Sequence, residues 1–482
     1  MRGLAAALAA GALLAGCTVG PAYRSPTAKM PEQWQDSGGV SARPAADYQW
    51  WKTFNDPLLD WLIAQAASAN DDIRIAQARV LEARAQQRAA AADLWPTLDG
   101  SAAVSRSRIS QNQPLFGSLP LPAGFPFVND DYKAGFDASW ELDIFGGRRQ
   151  ALKAAAADTA ASREALNDLT ISLLAEVASN YMELRGSQRR LAIAREDLAV
   201  QRQLVDLTKA RYRSGVTSEL DVTEAEALRA NIESEIPALQ VQVAQATRRL
   251  GVLLGQQPDA LAARLAMPAG GDSTYESIPA APAEVPIGLP SDLLLRRPDI
   301  REAERRLAAE TARVGVAKAE YFPHFSLNGD IGQEAISTGK WFDPGSRFWS
   351  IGPSMQWRIL DFGRVRAGVM QADARAQEAL AAYDRTVLNG LAEAENTLTA
   401  YANEQLRRRS IADEVEQDGR ALELAQARYA TGNSAFIEVL DAERSLNLAR
   451  DRLAQSTDQI AVDLVALFKA LGGGWETISA GA

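Results

Sequence analysis

The most regular pattern in the chain is an alternation of apolar and polar residues from Tyr132 to Leu142. Every even position there is apolar, and every odd position is polar or small. Because successive side chains of a strand point to opposite faces, this period of two predicts a strand with one apolar and one wet face. Similar strands are predicted at about 97–110, 324–332 and 348–358, the first with the weakest alternation.

Strands of about ten residues with one apolar face and Trp or Tyr near their ends are typical of membrane β-barrels. An antiparallel sheet packed on a soluble core gives the same alternation and remains an alternative. Lys133, Asp137, Glu141 and Asp330 would lie on the wet face in either case. Four strands cannot close a barrel in lipid, so membrane insertion would require several chains. The loops between the paired strands would then face outside the cell, at 111–131 and 333–347.

Helical patterns fill most of the remaining chain. Pro57 to Asp93 is predicted as one helix that ends before Pro96, because the residue preceding a proline avoids the helical region. Two very long stretches, Arg148 to Tyr212 and Val365 to Tyr429, contain no proline. At about 1.5 Å per residue each would reach on the order of 100 Å, which suits a crossing of the periplasm. Ala-rich seams at 154–157 and 379–382 favour close packing of antiparallel helices.

Two parts of the chain resemble each other. Ala210–Gly215 and Ala427–Gly432 match at an offset of 217 residues, and the Trp140 and Trp357 regions match at the same offset. This indicates two tandem structural repeats. The predicted organisation is a signal peptide at 1–16, an N-terminal segment at 17–56, repeat 1 at 57–266 with its tip at about 212–220, a linker at 267–290, repeat 2 at 291–472 with its tip at about 429–437, and a tail at 473–482.

The N-terminus has the features of a secretory signal. Met1-Arg2 precedes an apolar stretch, which runs into Leu14-Ala15-Gly16-Cys17. Cys17 is the only cysteine, so the site is interpreted as a lipobox, with lipid on the Cys17 sulfur and cleavage before it. An ordinary signal peptide with an incidental cysteine is the alternative. The residue after Cys17 is Thr18 and not Asp, which favours the outer over the inner membrane as the location of the lipoprotein.

Composition excludes several function classes. No later stretch of about 18 apolar residues predicts a transmembrane helix. The net charge of −10 argues against a nucleic-acid partner. His324 is the only histidine, so no metal cluster is predicted. The segment from Gly332 to Lys340 has the wrong spacing for a phosphate loop and is followed by Trp341 instead of Ser or Thr. An enzyme is therefore not expected, and a coiled-coil spacer lipoprotein would not need the alternating strands.

Five motifs together resemble the outer-membrane efflux lipoproteins similar to OprM and NodT, within the TolC-like group. They are CTVGPAY at Cys17–Tyr23, WW and FNDPL within Trp50–Leu58, WELD and FG within Trp140–Gly146, GLPSDLL and RRPDIR within Gly288–Arg301, and LGGGW at Leu471–Trp475. Each motif alone would be weak, but five in order over nearly the whole mature chain are specific.

The resemblance implies an α+β membrane protein that works as a homotrimer. Three chains would form a twelve-stranded outer-membrane β-barrel, a periplasmic α-helical barrel and an equatorial mixed α/β belt, with 17–56 wrapping that belt. Such a duct is passive and has no cofactor apart from its lipid. It would receive drugs or other small toxic compounds from a periplasmic adaptor and an inner-membrane pump, usually of the resistance-nodulation-division class. Service to a type I protein secretion or metal-efflux system is the alternative.

The resemblance also implies a gate at the periplasmic end. The constricting acids would be Glu438 and Asp441, with Ile437 as an apolar constriction and Arg444 at a basic position. A latch would join Tyr429 to Asp221, although Ser434 replaces the basic residue that supports it. Adaptor docking is expected at the tip turns, which contain Gly215, Val216, Gly432 and Asn433.

Each of these residues also has a purely structural interpretation. Ser218 and Asp221 have the spacing of a capping box at a helix start. Glu438 and Asp441 could be solvated surface, and Gly215 and Gly432 could supply the left-handed conformation of a helix end.

Overall fold

The computed structural model describes residues 18–34, 40–41, 49–110, 126–266, 279, 285–286 and 288–476. The predicted signal peptide, Cys17, most of the first long loop, most of the linker and the end of the tail lie outside the described residues. The chain divides into two compact units. The first comprises Met1–Pro26, Leu81–Ala161 and Glu304–Ala382, and the second comprises Thr27–Val80, Ser162–Ala303 and Tyr383–Ala482.

The first unit contains a four-stranded antiparallel sheet in which strands adjacent in the chain are paired. Its strands are β1 (Thr97–Arg108), β2 (Val128–Leu142), β3 (His324–Ala335) and β4 (Arg347–Gln356). Each overlaps a strand predicted from the alternation. The second strand begins four residues earlier than predicted, and the third ends three residues later.

The register gives the sheet two chemically different faces. Phe136, Ile331 and Trp349 lie side by side across three strands, and their exposed fractions are 58%, 62% and 74%. Asp137 and Asp330 lie directly opposite each other on the other face. The apolar face is therefore not covered by the described chain, as it would be in a sheet packed on a soluble core. A large exposed apolar patch marks a contact surface for lipid or protein.

A glycine pair holds two of the strands close together. Gly135 and Gly332 are partners across β2 and β3, and the Phe348 ring lies against both. A Cβ atom on Gly332 would lie 2.5 Å from the Ala134 carbonyl oxygen and 2.7 Å from the Phe348 ring. Glycine is required here by this close approach.

In the described part of the chain, seven longer helices accompany the four strands. The helices are α1 (Pro57–Ala69), α2 (Asp71–Ala92), α3 (Gly147–Arg213), α4 (Glu219–Leu253), α5 (Pro298–Ala319), α6 (Arg364–Ala430) and α7 (Phe436–Ala470). Both α3 and α6 have 67 residues, and both α4 and α7 have 35, with matching bounds 217 residues apart. None of the described helices is long and apolar enough to cross a membrane.

Shorter elements occupy the connections. Two parallel strands of two residues pair Val40–Ser41 with Val285–Pro286. Single helical turns lie at Trp50–Phe54, Ala262–Leu265, Pro290–Asp292, Leu293–Arg296, Thr338–Lys340 and Pro344–Ser346.

The prediction of one continuous helix from Pro57 to Asp93 is wrong at Asn70. Asn70 is in extended conformation, and its side-chain oxygen accepts the amides of Asp72 and Ile73 at 2.8 and 3.1 Å. Its side-chain amide donates to the Leu253 carbonyl at 2.9 Å. Asn70 therefore ends α1 and caps α2, because the cap satisfies amides that a helix start leaves unpaired.

The family-like motifs supply anchors of the second unit. Trp50 is fully buried and stacks on Phe468, with the ring centres 5.4 Å apart. Arg297 bonds Asp299 and Glu393 at 2.8 and 2.7 Å and donates to the Ala470 carbonyl at 2.8 Å. These motifs therefore connect distant parts of the chain around one core.

The segment after Cys17 packs closely within the first unit. The Val19 amide donates to the Phe145 carbonyl at 3.0 Å, and the Tyr23 hydroxyl donates to Glu304 at 3.1 Å. Gly20 has a φ of +133° and lies so close to Gly315 that a Cβ atom would be 2.6 Å from its Cα. The pKa of Tyr23 is raised to about 12 because burial and the neighbouring Glu304 disfavour its ionised form.

Candidate gate at the helix-hairpin tips

Two helix hairpins, α3–α4 and α6–α7, end in turns of the same geometry within the second unit. In the first turn Gly215 has a φ of +74°, its amide donates to the Tyr212 carbonyl at 2.9 Å, and the Val216 amide donates to the Arg211 carbonyl at 3.0 Å. This pair of bonds around a left-handed glycine is a Schellman motif. The structural interpretation of Gly215 is therefore confirmed.

The second turn repeats the arrangement. Gly432 has a φ of +76°, its amide donates to the Tyr429 carbonyl at 3.1 Å, and the Asn433 amide donates to the Arg428 carbonyl at 2.9 Å. A Cβ atom on Gly432, as on Gly215, would meet nothing within 4 Å. Backbone conformation, and not crowding, thus explains glycine at these turns.

The Asp221 carboxylate takes part in the N-terminal cap of its own helix, α4. It accepts hydrogen bonds from the Thr217 hydroxyl and, at 3.2 Å, from the Ser218 amide, while the Ser218 hydroxyl accepts the Asp221 amide at 3.2 Å. The capping box predicted from the spacing is therefore present. Within the described residues no hydrogen bond joins Asp221 to Tyr429, and the hydrogen bonds that the carboxylate accepts lie within its own turn.

An apolar cluster holds the ends of all four helices together. Its buried members are Val205, Ala225, Phe436, Val439 and Leu440, and Leu204, Leu228, Leu422, Ala425 and Tyr429 pack against them half-buried. The Tyr429 ring lies 5.2 Å from the Phe436 ring, and the Arg211 guanidinium lies 4.5 Å from the Tyr429 ring centre. The predicted gate residue Tyr429 thus belongs to the packed tip.

The predicted gate acids lie on the exposed side of α7. The side chains of Glu438 and Asp441 are 48% and 57% exposed, and Ile437 is also exposed. Asp441 pairs with Arg444 at 3.0 Å, whereas Glu438 lies 3.9 Å from Arg428. Exposed ion pairs contribute little to stability, so these acids are not required by the packing of one chain.

Sequence reasoning missed a buried acid beside these residues. Glu443 is 6% exposed, and its Oε2 atom has no hydrogen-bond partner in the described part of the chain. Burial raises the pKa of Glu443 to about 7, and the Asp197 carboxylate on α3 adds to this. The signal was present in the sequence, because Glu443 occupies a position in the buried stripe of α7 formed by Phe436, Val439, Leu440, Leu446, Ala449 and Leu453.

Asp197 has a similar environment and a partial counterion. Burial raises its pKa to about 6, although Arg450 lies 3.7 Å away and opposes the shift. Arg190 and Asp451, which pair at 2.6 Å, line a cavity of about 270 Å³ that Asp197 also borders. Among the described residues no group of three or more His, Cys, Asp or Glu could hold a metal ion.

Comparison with known proteins identifies the family. The outer membrane efflux protein family matches residues 62–256 and 289–473, which include both hairpins and all four strands of the sheet. The chain belongs to this family. The predicted resemblance is therefore confirmed, and the protein is an outer-membrane efflux channel protein, not an enzyme.

Individual members match this efflux protein over nearly its whole length. Nodulation protein T of Rhizobium leguminosarum bv. trifolii is 31% identical over 469 residues, which cover 97% of this chain and 96% of that protein. The solvent efflux pump outer membrane protein SrpC of Pseudomonas putida is 32% identical, with 96% of each chain covered. The outer-membrane channel OprN superposes with a TM-score of 0.85 at 37% identity, covering 95% of this chain and all of that one.

Proposed function

We propose that three copies of this efflux protein form one exit duct, with a barrel of twelve strands at the outer membrane and a helical barrel in the periplasm. The sheet of one chain is open: among the described strands, β1 and β4 each pair on one edge only. Unpaired edges are not tolerated in lipid, so strands from neighbouring copies would complete the pairing. The tandem repeat interpretation is supported by the equal lengths of α3 and α6, and of α4 and α7.

The exposed apolar face of the sheet is the observation that carries this proposal. Phe136, Ile331, Trp349 and Ile351 are all more than half exposed, and Asp137 and Asp330 lie on the opposite face. An apolar face toward lipid and a polar face toward a lumen is the arrangement of a membrane barrel.

The hairpin tips are proposed as the periplasmic gate and the docking site of an adaptor. Glu438, Asp441, Ile437 and Arg444 would surround the constriction, and three chains would bring six carboxylates to one opening. Crowded carboxylates attract cations to such an opening. The turns with Gly215, Val216, Gly432 and Asn433 would contact the adaptor, and an inner-membrane pump, resistance-nodulation-division in class, would supply the energy.

The proposed cargo is a drug or another small toxic compound, and lipid on Cys17 would anchor the chain to the outer membrane. The name of SrpC, a solvent efflux pump protein, supports small apolar cargo for the group. Export of proteins by a type I system, or of metal ions, remains the alternative. The pump selects the cargo in either case, so a passive duct would carry few residues specific to it.

Single-channel conductance of the purified trimer in planar bilayers tests the gate. The parent is expected to give small cation-selective currents, and Asp441→Ala and Glu438→Ala are expected to give larger ones because each removes three carboxylates from the opening. Asp413→Ala is the matched control, since Asp413 is an exposed acid on α6 about four turns before the tip. No current in any variant of a confirmed trimer would contradict the duct and favour a coiled-coil spacer.

A further inference from the structure

One contact joins the two hairpin tips directly through a charged group. Arg211 lies in the last turn of α3, and Tyr429 lies in the last turn of α6. The Arg211 guanidinium is 4.5 Å from the centre of the Tyr429 ring, well within the range of a cation–π interaction. Since α3 and α6 belong to different hairpins, the contact connects the two elements that a gate at the tips would have to separate.

Tyr429 is firmly held on its own hairpin. Its ring packs on Phe436 at 5.2 Å and against the apolar cluster that contains Val439 and Leu440. The ring is therefore packed on α7, the helix that carries Glu438 and Asp441. Arg211 is half-buried and forms no ion pair in the described part of the chain, so its charge is directed to the ring instead of a carboxylate.

Asp221 forms no hydrogen bond with Tyr429 among the described residues. Its carboxylate is occupied by Thr217 and Ser218 within its own turn. The tip that carries Asp221 is thus connected to Tyr429 through Arg211, ten residues earlier in the chain.

We propose that Arg211 is a positioning residue of the gate, and that its cation–π contact with the Tyr429 ring holds the two hairpin tips together in the closed state. This inference rests on the proposed gate function of the tips. Opening would separate the guanidinium from the ring. Loss of this contact should raise the ratio of separated to joined tips by about two- to fivefold in each chain, the equilibrium factor of an exposed cation–π interaction, and a variant trimer loses three such contacts.

Open probability of the purified trimer in planar bilayers tests the proposal. Arg211→Ala and Tyr429→Leu should both raise the open probability, and the double variant should resemble either single one because both remove the same contact. Arg211→Lys should be intermediate. Tyr429→Phe keeps the aromatic face and should stay much closer to the parent than Tyr429→Leu. Arg213→Ala is the matched control, because Arg213 lies in the same helical turn and, in the described part of the chain, donates to the Lys209 carbonyl.

Two results would overturn the inference while leaving the gate intact. If Tyr429→Phe opened the channel as much as Tyr429→Leu, the hydroxyl and not the ring would hold the tips. If Arg211→Ala matched Arg213→Ala while Asp441→Ala still opened the channel, Arg211 would have no positioning role. Unchanged currents in Asp441→Ala and Glu438→Ala would instead contradict the proposed gate, and the role of Arg211 with it.

Discussion

At the scale of residues, each hairpin tip turns at a left-handed glycine, Gly215 with a φ of +74° and Gly432 with a φ of +76°. The repeated glycine motif predicts Gly215 and Gly432, since a left-handed helix end strongly favours glycine. The partner of Tyr429 could not be predicted, because the contact with Arg211 joins positions more than 200 residues apart in the chain. The burial of Glu443 could have been predicted from its place in the apolar stripe of α7. The lack of a hydrogen-bond partner for its Oε2 atom among the described residues could not.

Glu443 should make the stability of the folded protein depend on pH. Its pKa is about 7 in the fold and near 4.5 when exposed, so the folded state favours the protonated form. The stabilisation it contributes is complete below about pH 4.5, declines as pH rises, and is lost above about pH 7. Glu443→Gln, a neutral replacement of the same shape, should therefore be more stable than the parent at pH 8, by about 3 kcal/mol, and similar to it at pH 4.5.

Thermal unfolding of the detergent-solubilised protein at several pH values measures this difference. Glu423→Gln is the control, since Glu423 is an exposed acid on α6 near the same tip. Some pH dependence should remain in Glu443→Gln, because Asp197 also has a raised pKa. Parallel pH profiles for the parent and Glu443→Gln would show that Glu443 is not the titrating group.

At the scale of elements, periodicity predicted most of the framework. The alternation of apolar and polar residues predicted the strands, because one face of the sheet is apolar and the other is polar. The long stretches without proline predicted α3 and α6. The break at Asn70 was missed although Asn70-Asp71-Asp72 is a helix-start signal, because the helical pattern continues on both sides. Conversely, α4 continues through Pro237, where a proline normally ends or kinks a helix.

The glycine pair in the sheet gives a prediction for β3. Gly332→Ala would place a methyl group against the Ala134 carbonyl and the Phe348 ring, and overpacking of this kind typically costs about 1–3 kcal/mol. The variant should therefore give less assembled protein in the outer membrane. Gly352→Ala is the matched control on β4, because a Cβ atom there meets nothing within 4 Å.

The yield of trimer in outer-membrane fractions, compared by electrophoresis of unheated samples, measures the effect. Equal yields for the two glycine variants would mean that the close approach of β2 and β3 is not needed for assembly.

At the scale of the whole molecule, the family-like motifs indicated the family correctly. Their residues make contacts with parts of the chain that are distant in sequence. Trp50 stacks on Phe468. Arg297 forms ion pairs with Asp299 and Glu393 and donates a hydrogen bond to the Ala470 carbonyl. The number of chains in the duct could be predicted only through the resemblance. Periodicity within one chain shows that strands exist and have an apolar face, but the chains that complete their edges are not encoded in that pattern.

If several chains contribute their strands to one channel, the intact complex must have the mass of several chains. Native mass spectrometry of the detergent-solubilised protein should give three copies, corresponding to twelve strands. A stable single chain that conducts ions in a planar bilayer, or a conducting assembly with another number of copies, would contradict a duct of three chains.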